Sequence, residues 1–309
     1  MKIVITLLGL LFAGALNAAA TFSDMFVFGD SLSDVGNLHL ATGGSIPDSN
    51  YYMGRFSNGP VAAEIYGLRE GLFGSGGVAL TPSLAGGNNY AVAGALTGSH
   101  EANPAFGATT QVDNYLALVS SADPNALYLV WAGANDVRAA LFDPANAGSI
   151  IATGVGNMQT MLTDLVTAGA QHILVPNVPD LGLIPEVTQL GDPAASAGAT
   201  FMSTQFNLAL DMVLDGFESS VEHLCRYDTF TKLNDLVAHG PDYGLLNVTD
   251  PFISSSDSDP DSYLFFDTIH PTAKVHNILG NDFHACPEPG TLSLALVGLA
   301  GIRVMRRRR

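Results

Sequence analysis

Phe26-Val27-Phe28-Gly29-Asp30-Ser31-Leu32-Ser33-Asp34 is an apolar run that stops at a glycine, an acid and a serine. Residues 25–28 have the bulk and β-propensity of a short buried strand, and Gly29 allows the tight turn that lifts the next side chains off the sheet edge. A serine carried there is a candidate nucleophile. Its hydroxyl reacts only when a base takes its proton, so Ser31 calls for a histidine, an acid to orient it and donors for an oxyanion elsewhere in the chain.

Downstream, apolar runs and helical spacings take turns. Residues 126–131 (Ala-Leu-Tyr-Leu-Val-Trp), 171–182 with a loop at the carboxyl end, and 221–227 read as strands; 111–120, 150–168 and 201–217 have helical spacing, and Pro60 and Pro271 stand where helices start. The 309 residues show no repeat and no composition break in their middle. The alternation predicts a single three-layer α/β/α domain around a doubly wound, flavodoxin-like parallel sheet. Glycine-rich residues 71–87 are expected as a mobile surface loop, and the aromatics of Tyr51–Pro60 either line a cleft or pack as a loop.

The partners Ser31 needs have candidates. Asn88–Ala95 reads as an extended element ending in small residues, where Gly94 offers its N–H to an oxyanion or simply allows close packing. Asn135, in Gly133-Ala134-Asn135-Asp136 after a strand, is placed to donate its side-chain amide, or it or Asp136 caps a helix. Asp267 and His270 stand three apart in Asp267-Thr268-Ile269-His270-Pro271-Thr272, so in a turn the carboxylate can hold Nδ1–H while Nε2 faces the serine. Neither a metal nor a cofactor is expected: Ser254–Ser262 alternates aspartates but lacks the glycine and terminal glutamate of an EF-hand loop, and no Cys cluster has zinc or redox spacing.

Both ends differ from the body. Residues 1–20 run from Lys2 through an apolar stretch to Leu16-Asn17-Ala18-Ala19-Ala20, the order of a secretory signal peptide, so the protein is expected to be exported. Residues 286–309 contain Cys286-Pro287-Glu288-Pro289-Gly290, an apolar segment from Thr291 to Met305, and four terminal arginines. A helix over that segment reaches about 22 Å, marginal for a permanent anchor. The ends hold six of the 12 Lys and Arg but one of the 29 Asp and Glu, so residues 21–285 carry six basic against 28 acidic side chains, a formal −22. That charge repels nucleic acid and anionic headgroups. Cys225 and Cys286 are either one disulfide or two free thiols.

Taken in order, Gly29-Asp30-Ser31-Leu32-Ser33-Asp34, Asn89-Tyr90-Ala91-Val92-Ala93-Gly94-Ala95, Gly133-Ala134-Asn135-Asp136 and Asp267–Thr272 resemble the four catalytic blocks of the GDSL, or SGNH, hydrolases, and the resemblance spans residues 25–281. Gly54–Gly59 and Val175–Gly182 resemble segments of its lipase and esterase branch. The resemblance implies Ser31 as nucleophile, His270 as base, Asp267 as its orienter, and Ser31, Gly94 and Asn135 as the oxyanion hole. Where the family has two adjacent glycines this chain has Ala93-Gly94. The C-terminal region resembles a PEP-CTERM sorting signal of exopolysaccharide-producing Gram-negative bacteria, which implies an inner-membrane exosortase as a processing partner, transient inner-membrane association, and delivery to the periplasm, cell surface or extracellular matrix. A plain tail anchor is the other reading of it.

The expected function is therefore an exported ester hydrolase acting on a small-molecule or polymer ester: lipid, aryl or acetylated polysaccharide. An acyltransferase using the same acyl-enzyme, and a surface or matrix-binding protein without turnover, are the competing readings.

Overall fold

β1 (Met25–Gly29) is the strand expected before Ser31. It pairs with β2 (Leu127–Trp131), β2 with β3 (His172–Pro176) and β3 with β4 (His223–Tyr227), all parallel and in that order. The computed structural model describes residues 22–72, 80–99 and 103–284. Every residue of β2 and β3 is buried, because helices cover both faces of a parallel sheet.

The other flank of β1 carries Asn88–Val92, which runs parallel without completing a strand. Val27 N–H donates to Asn88 O at 3.1 Å, Tyr90 N–H to Val27 O at 2.7 Å and Val92 N–H to Gly29 O at 3.1 Å. The chain thus leaves β1 to one side, returns, and builds β2–β4 on the other. This reversal makes the sheet doubly wound and puts its switch point at the carboxyl end of β1, where open α/β sheets bind ligands.

In chain order the helices are α1 (Asn37–Ala41), α2 (Ala62–Arg69), α3 (Ala108–Leu118), α4 (Ala134–Phe142), α5 (Ala147–Ala168), α6 (Pro185–Thr188), α7 (Pro193–Asp215), α8 (Thr229–Ala238) and α9 (Ala273–Phe283). Successive strand side chains point to opposite faces. On one face Phe26 and Phe28 meet Tyr115 of α3, with ring centroids 4.6 and 5.7 Å apart, and α3, α4, α5 and α7 pack together there. On the other, Trp131 and Tyr227 meet Phe283 of α9 at 5.7 and 4.9 Å, and α9 packs on α2. A short parallel pair, β5 (Asn247–Pro251) and β6 (Tyr263–Phe265), leads into the Asp267–His270 turn.

Helix starts depart from expectation. α2 begins at Ala62 rather than Pro60, because the Glu64 carboxylate accepts the Val61 N–H at 3.0 Å and makes Val61 the cap. α9 begins after Thr272 because Pro271 is held extended, with Phe266 N–H on His270 O and Thr272 N–H on Leu264 O. α7 starts eight residues before Phe201, where Asp192 accepts the Ala194 N–H and Pro193 takes the first turn. Of the expected mobile loop, residues 80–87 are tied down: Leu80 enters the core and Ser83 N–H bonds Asn89 O; residues 73–79 lie outside the described residues. So do the expected signal peptide, the sorting segment and Cys286. Cys225, buried on β4, is disulfide-bonded. Among the described residues no helix is long and apolar enough to cross a membrane.

Candidate active site

The turn after β1 is shaped by contact with β2. A Cβ on Gly29 would sit 2.1 Å from Trp131 O, so only glycine lets the strands close before the chain turns at Ser31. Asp34 then fixes the loop. Its carboxylate accepts N–H groups from Gly36 (2.7 Å), Asn37 (2.6 Å) and Leu38 (3.1 Å), and a fourth from Ala93 (2.9 Å). Asn37 adds bonds to Asn89 O and Ala91 O, and the Asn89 amide donates to Ser33 O at 2.7 Å. Ser31 and Gly94 are therefore carried by two segments sewn together through buried polar side chains.

The histidine arrives from the other end of the chain. Ser31 Oγ lies 2.8 Å from His270 Nε2, and His270 Nδ1 lies 2.7 Å from Asp267 Oδ2. Asp267 Oδ1 accepts the backbone N–H groups of Ile269 (2.8 Å) and His270 (2.7 Å), which builds the turn that brings acid and imidazole together. Burial works to raise Asp267, but the neighbouring imidazole and these donors prevail and hold it at about 2. An ionised Asp267 only accepts, so Nδ1 carries the proton and Nε2 is left to accept from the Ser31 hydroxyl.

The Tyr51–Asn58 segment clamps this turn, a role its aromatic composition did not announce. Tyr51 O–H donates to Asp267 Oδ2 at 2.8 Å, Ser57 Oγ to Pro271 O at 2.9 Å, and Asn58 Oδ1 accepts the Ala273 N–H at 2.8 Å. The Phe56 ring stands 5.1 Å from that of His270. Burial and the adjacent carboxylate push the Tyr51 phenol up, keeping it a donor. The segment is itself anchored by a buried Arg55–Glu64 pair at 2.6 Å.

The expected oxyanion donors are Ser31 N–H, Gly94 N–H and the Asn135 amide. Neither Ser31 N–H nor Gly94 N–H meets an acceptor among the described residues. Gly94 has φ +81°, a conformation that favours glycine. Asn135 lies inside the first turn of α4, with Gly133 at the cap, so it is not the capping residue. One hydrogen of its amide goes to Ala95 O at 3.0 Å, which orients the group and leaves the second free of that bond. Asp136 does not cap either; it is buried and accepts from Thr97 N–H and Oγ1 at 2.9 and 2.7 Å. Ser31, Gly94, Asn135 and His270 line one open cavity of about 610 Å³. Asp30, buried beside the serine, is raised to about 7 by that burial. Among the described residues no cluster of His, Cys, Asp or Glu is placed to hold a metal ion.

A 176-residue stretch is 36% identical to "Lipase 1" of Photorhabdus luminescens, covering 57% of this chain but only 25% of that longer protein. The "Phosphatidylcholine-sterol acyltransferase" of Aeromonas hydrophila is 26% identical over 90% of this chain and 94% of its own length. A crystal structure of a lipolytic G-D-S-L family member from Veillonella parvula aligns with a TM-score of 0.42 at 12% identity, over 85% of this chain and 96% of that one. The model of the family described as GDSL-like Lipase/Acylhydrolase matches residues 25–283, from the first residue of β1 to the last of α9, and the chain belongs to that family.

Proposed function

We propose that this chain is an exported serine hydrolase that cleaves carboxylic esters through an acyl-Ser31 intermediate. One observation carries the reading: the unbroken Ser31–His270–Asp267 relay, at 2.8 and 2.7 Å, opening on a cavity that also holds Gly94 and Asn135. Ser31 Oγ bonds the ester carbonyl carbon as His270 Nε2 takes its proton. The N–H groups of Ser31 and Gly94 and the Asn135 amide hold the oxyanion. The C–O bond then breaks and His270 returns the proton to the departing alcohol. Water attacks the acyl-enzyme with His270 as base, releasing the carboxylic acid and restoring Ser31. Export rests on the composition of residues 1–20, and exosortase processing on that of residues 286–309.

A fluorophosphonate probe tests this directly: one adduct on Ser31 of the folded protein is expected, and no adduct, or one elsewhere, would count for a surface protein without turnover. Asn135→Ala is expected to lower kcat by about 10²- to 10³-fold with KM nearly unchanged, since the oxyanion exists only in the transition state. A loss confined to KM would remove Asn135 from the oxyanion hole. The similarity to the Aeromonas acyltransferase over nearly the whole chain favours a second reading, in which an alcohol replaces water at the acyl-enzyme. Product analysis with added acceptor alcohols separates the two.

A further inference from the structure

Asn135 and His270 reach Ser31 from different parts of the chain, α4 and the turn after β6. Ser31, Gly94 and Asn135 form one group: Asp34 and Asn89 sew the first two segments together, and the Asn135 amide donates to Ala95 O at 3.0 Å. His270 joins that group through the Ser31 hydroxyl, 2.8 Å from Nε2. The reaction consumes this bond. Once Oγ carries the acyl group it has no hydrogen to give, yet His270 must still deprotonate water while Asn135 holds the second oxyanion.

A chain of contacts from α4 to the histidine turn avoids the reacting atoms altogether. Arg138 lies three residues after Asn135, hence on the same face of α4, and both line the two cavities that open at Ser31. Its guanidinium meets the Glu186 carboxylate at two points, Nε to Oε2 at 2.6 Å and Nη2 to Oε1 at 2.7 Å. Glu186 stands in α6, and its backbone N–H donates to Thr268 O at 2.8 Å, inside the Asp267–His270 turn.

We propose that Arg138 and Glu186 are positioning residues, which keep the Asn135 amide aligned with His270 through both formation and hydrolysis of the acyl-enzyme. The proposal rests on the ester-hydrolase reading and extends its machinery to two residues that touch no reacting atom. A two-point contact between planar groups fixes angle as well as distance, which a single hydrogen bond does not. The Phe142 ring, one turn further along α4 and 5.4 Å from the guanidinium carbon, limits the swing of the arginine. Folding stability is a poor account of the pair. Its side chains are 39% and 21% exposed, and ion pairs that solvent reaches contribute little to the folded state.

The test is a double-mutant cycle on the full chain, with p-nitrophenyl butyrate as substrate and thermal unfolding measured beside it. Glu186→Gln keeps the size of the side chain and the backbone bond to Thr268 but gives up the two-point carboxylate contact. It is expected to lower kcat about tenfold, with KM changed less than twofold and the unfolding midpoint unmoved. In the Asn135→Ala background the same substitution is expected to change kcat less than twofold, because the group it aligns is already gone. Arg138→Lys, which keeps the charge but loses the fork, should repeat both results and stands in should Glu186→Gln fail to fold. A kcat within twofold of wild type in both single variants would overturn the proposal. So would a tenfold loss that persists in the Asn135→Ala background, which is what a structural role would give. Fluorophosphonate labelling of Ser31 and wild-type ester turnover would survive either result. Absence of both would overturn the hydrolase reading and this proposal together.

Discussion

Ser31→Ala is expected to reduce ester turnover by about 10⁶-fold, leaving only what the oxyanion donors and binding supply. The substitution removes one oxygen whose partner in the structure is His270 Nε2, and it keeps the Ser31 N–H. Nothing in the loop depends on that hydroxyl: Asp34 holds it through the backbone of Gly36, Asn37, Leu38 and Ala93, and Asp30 accepts the Leu32 N–H at 3.0 Å. Stability should therefore change by no more than about 1 kcal/mol, the scale of a single hydrogen bond. The measurement is kcat on a short-chain ester beside a thermal unfolding curve. A variant as stable as the wild type that kept a hundredth of its turnover would show that another group is the nucleophile.

What could be read from the sequence follows from which interactions are local. A five-residue strand covered on both faces is mostly apolar, so 126–131 and the Ile173–Pro176 run inside 171–182 declare themselves, as does the stop at Gly29. The Asp267–His270 pairing is also local, a carboxylate reaching the backbone and ring of residues two and three ahead. Helix starts were less legible because caps depend on context: Glu64 reaches Val61 while gripped by Arg55 from outside the helix. β5 escaped notice because Asn-Val-Thr-Asp-Pro is half polar and lies at the rim of the molecule. The clamp of Tyr51, Ser57 and Asn58 had no local signal at all. Its partners lie 216, 214 and 215 residues away, and only the folded sheet brings them together. The apolar pocket beside Ser31 was hidden for the same reason, since Leu32, Trp131, Leu181, Leu233, Leu264 and Val275 meet there only in the folded chain.

Asp267→Asn is expected to lower kcat by about 10⁴-fold while the turn keeps its shape. Two positions are available to the amide nitrogen, and the structure decides between them. Oδ1 accepts the backbone N–H groups of Ile269 and His270. An NH₂ group there would face two donors, so the carbonyl oxygen keeps that place and the nitrogen takes the place of Oδ2, toward His270 Nδ1 and the Tyr51 hydroxyl. As a donor it turns Nδ1 into an acceptor and moves the ring proton to Nε2, which then cannot take a proton from Ser31. The loss is one of tautomer rather than of distance, and that is measurable. Raising the pH should not restore the rate as it would for a base that only lacked deprotonation, and ¹⁵N chemical shifts of His270 should place the proton on Nε2 in the variant and on Nδ1 in the wild type. Turnover within tenfold of the wild type would mean that the carboxylate orients nothing essential, and that the imidazole is held for catalysis by the Tyr51–Asn58 segment alone.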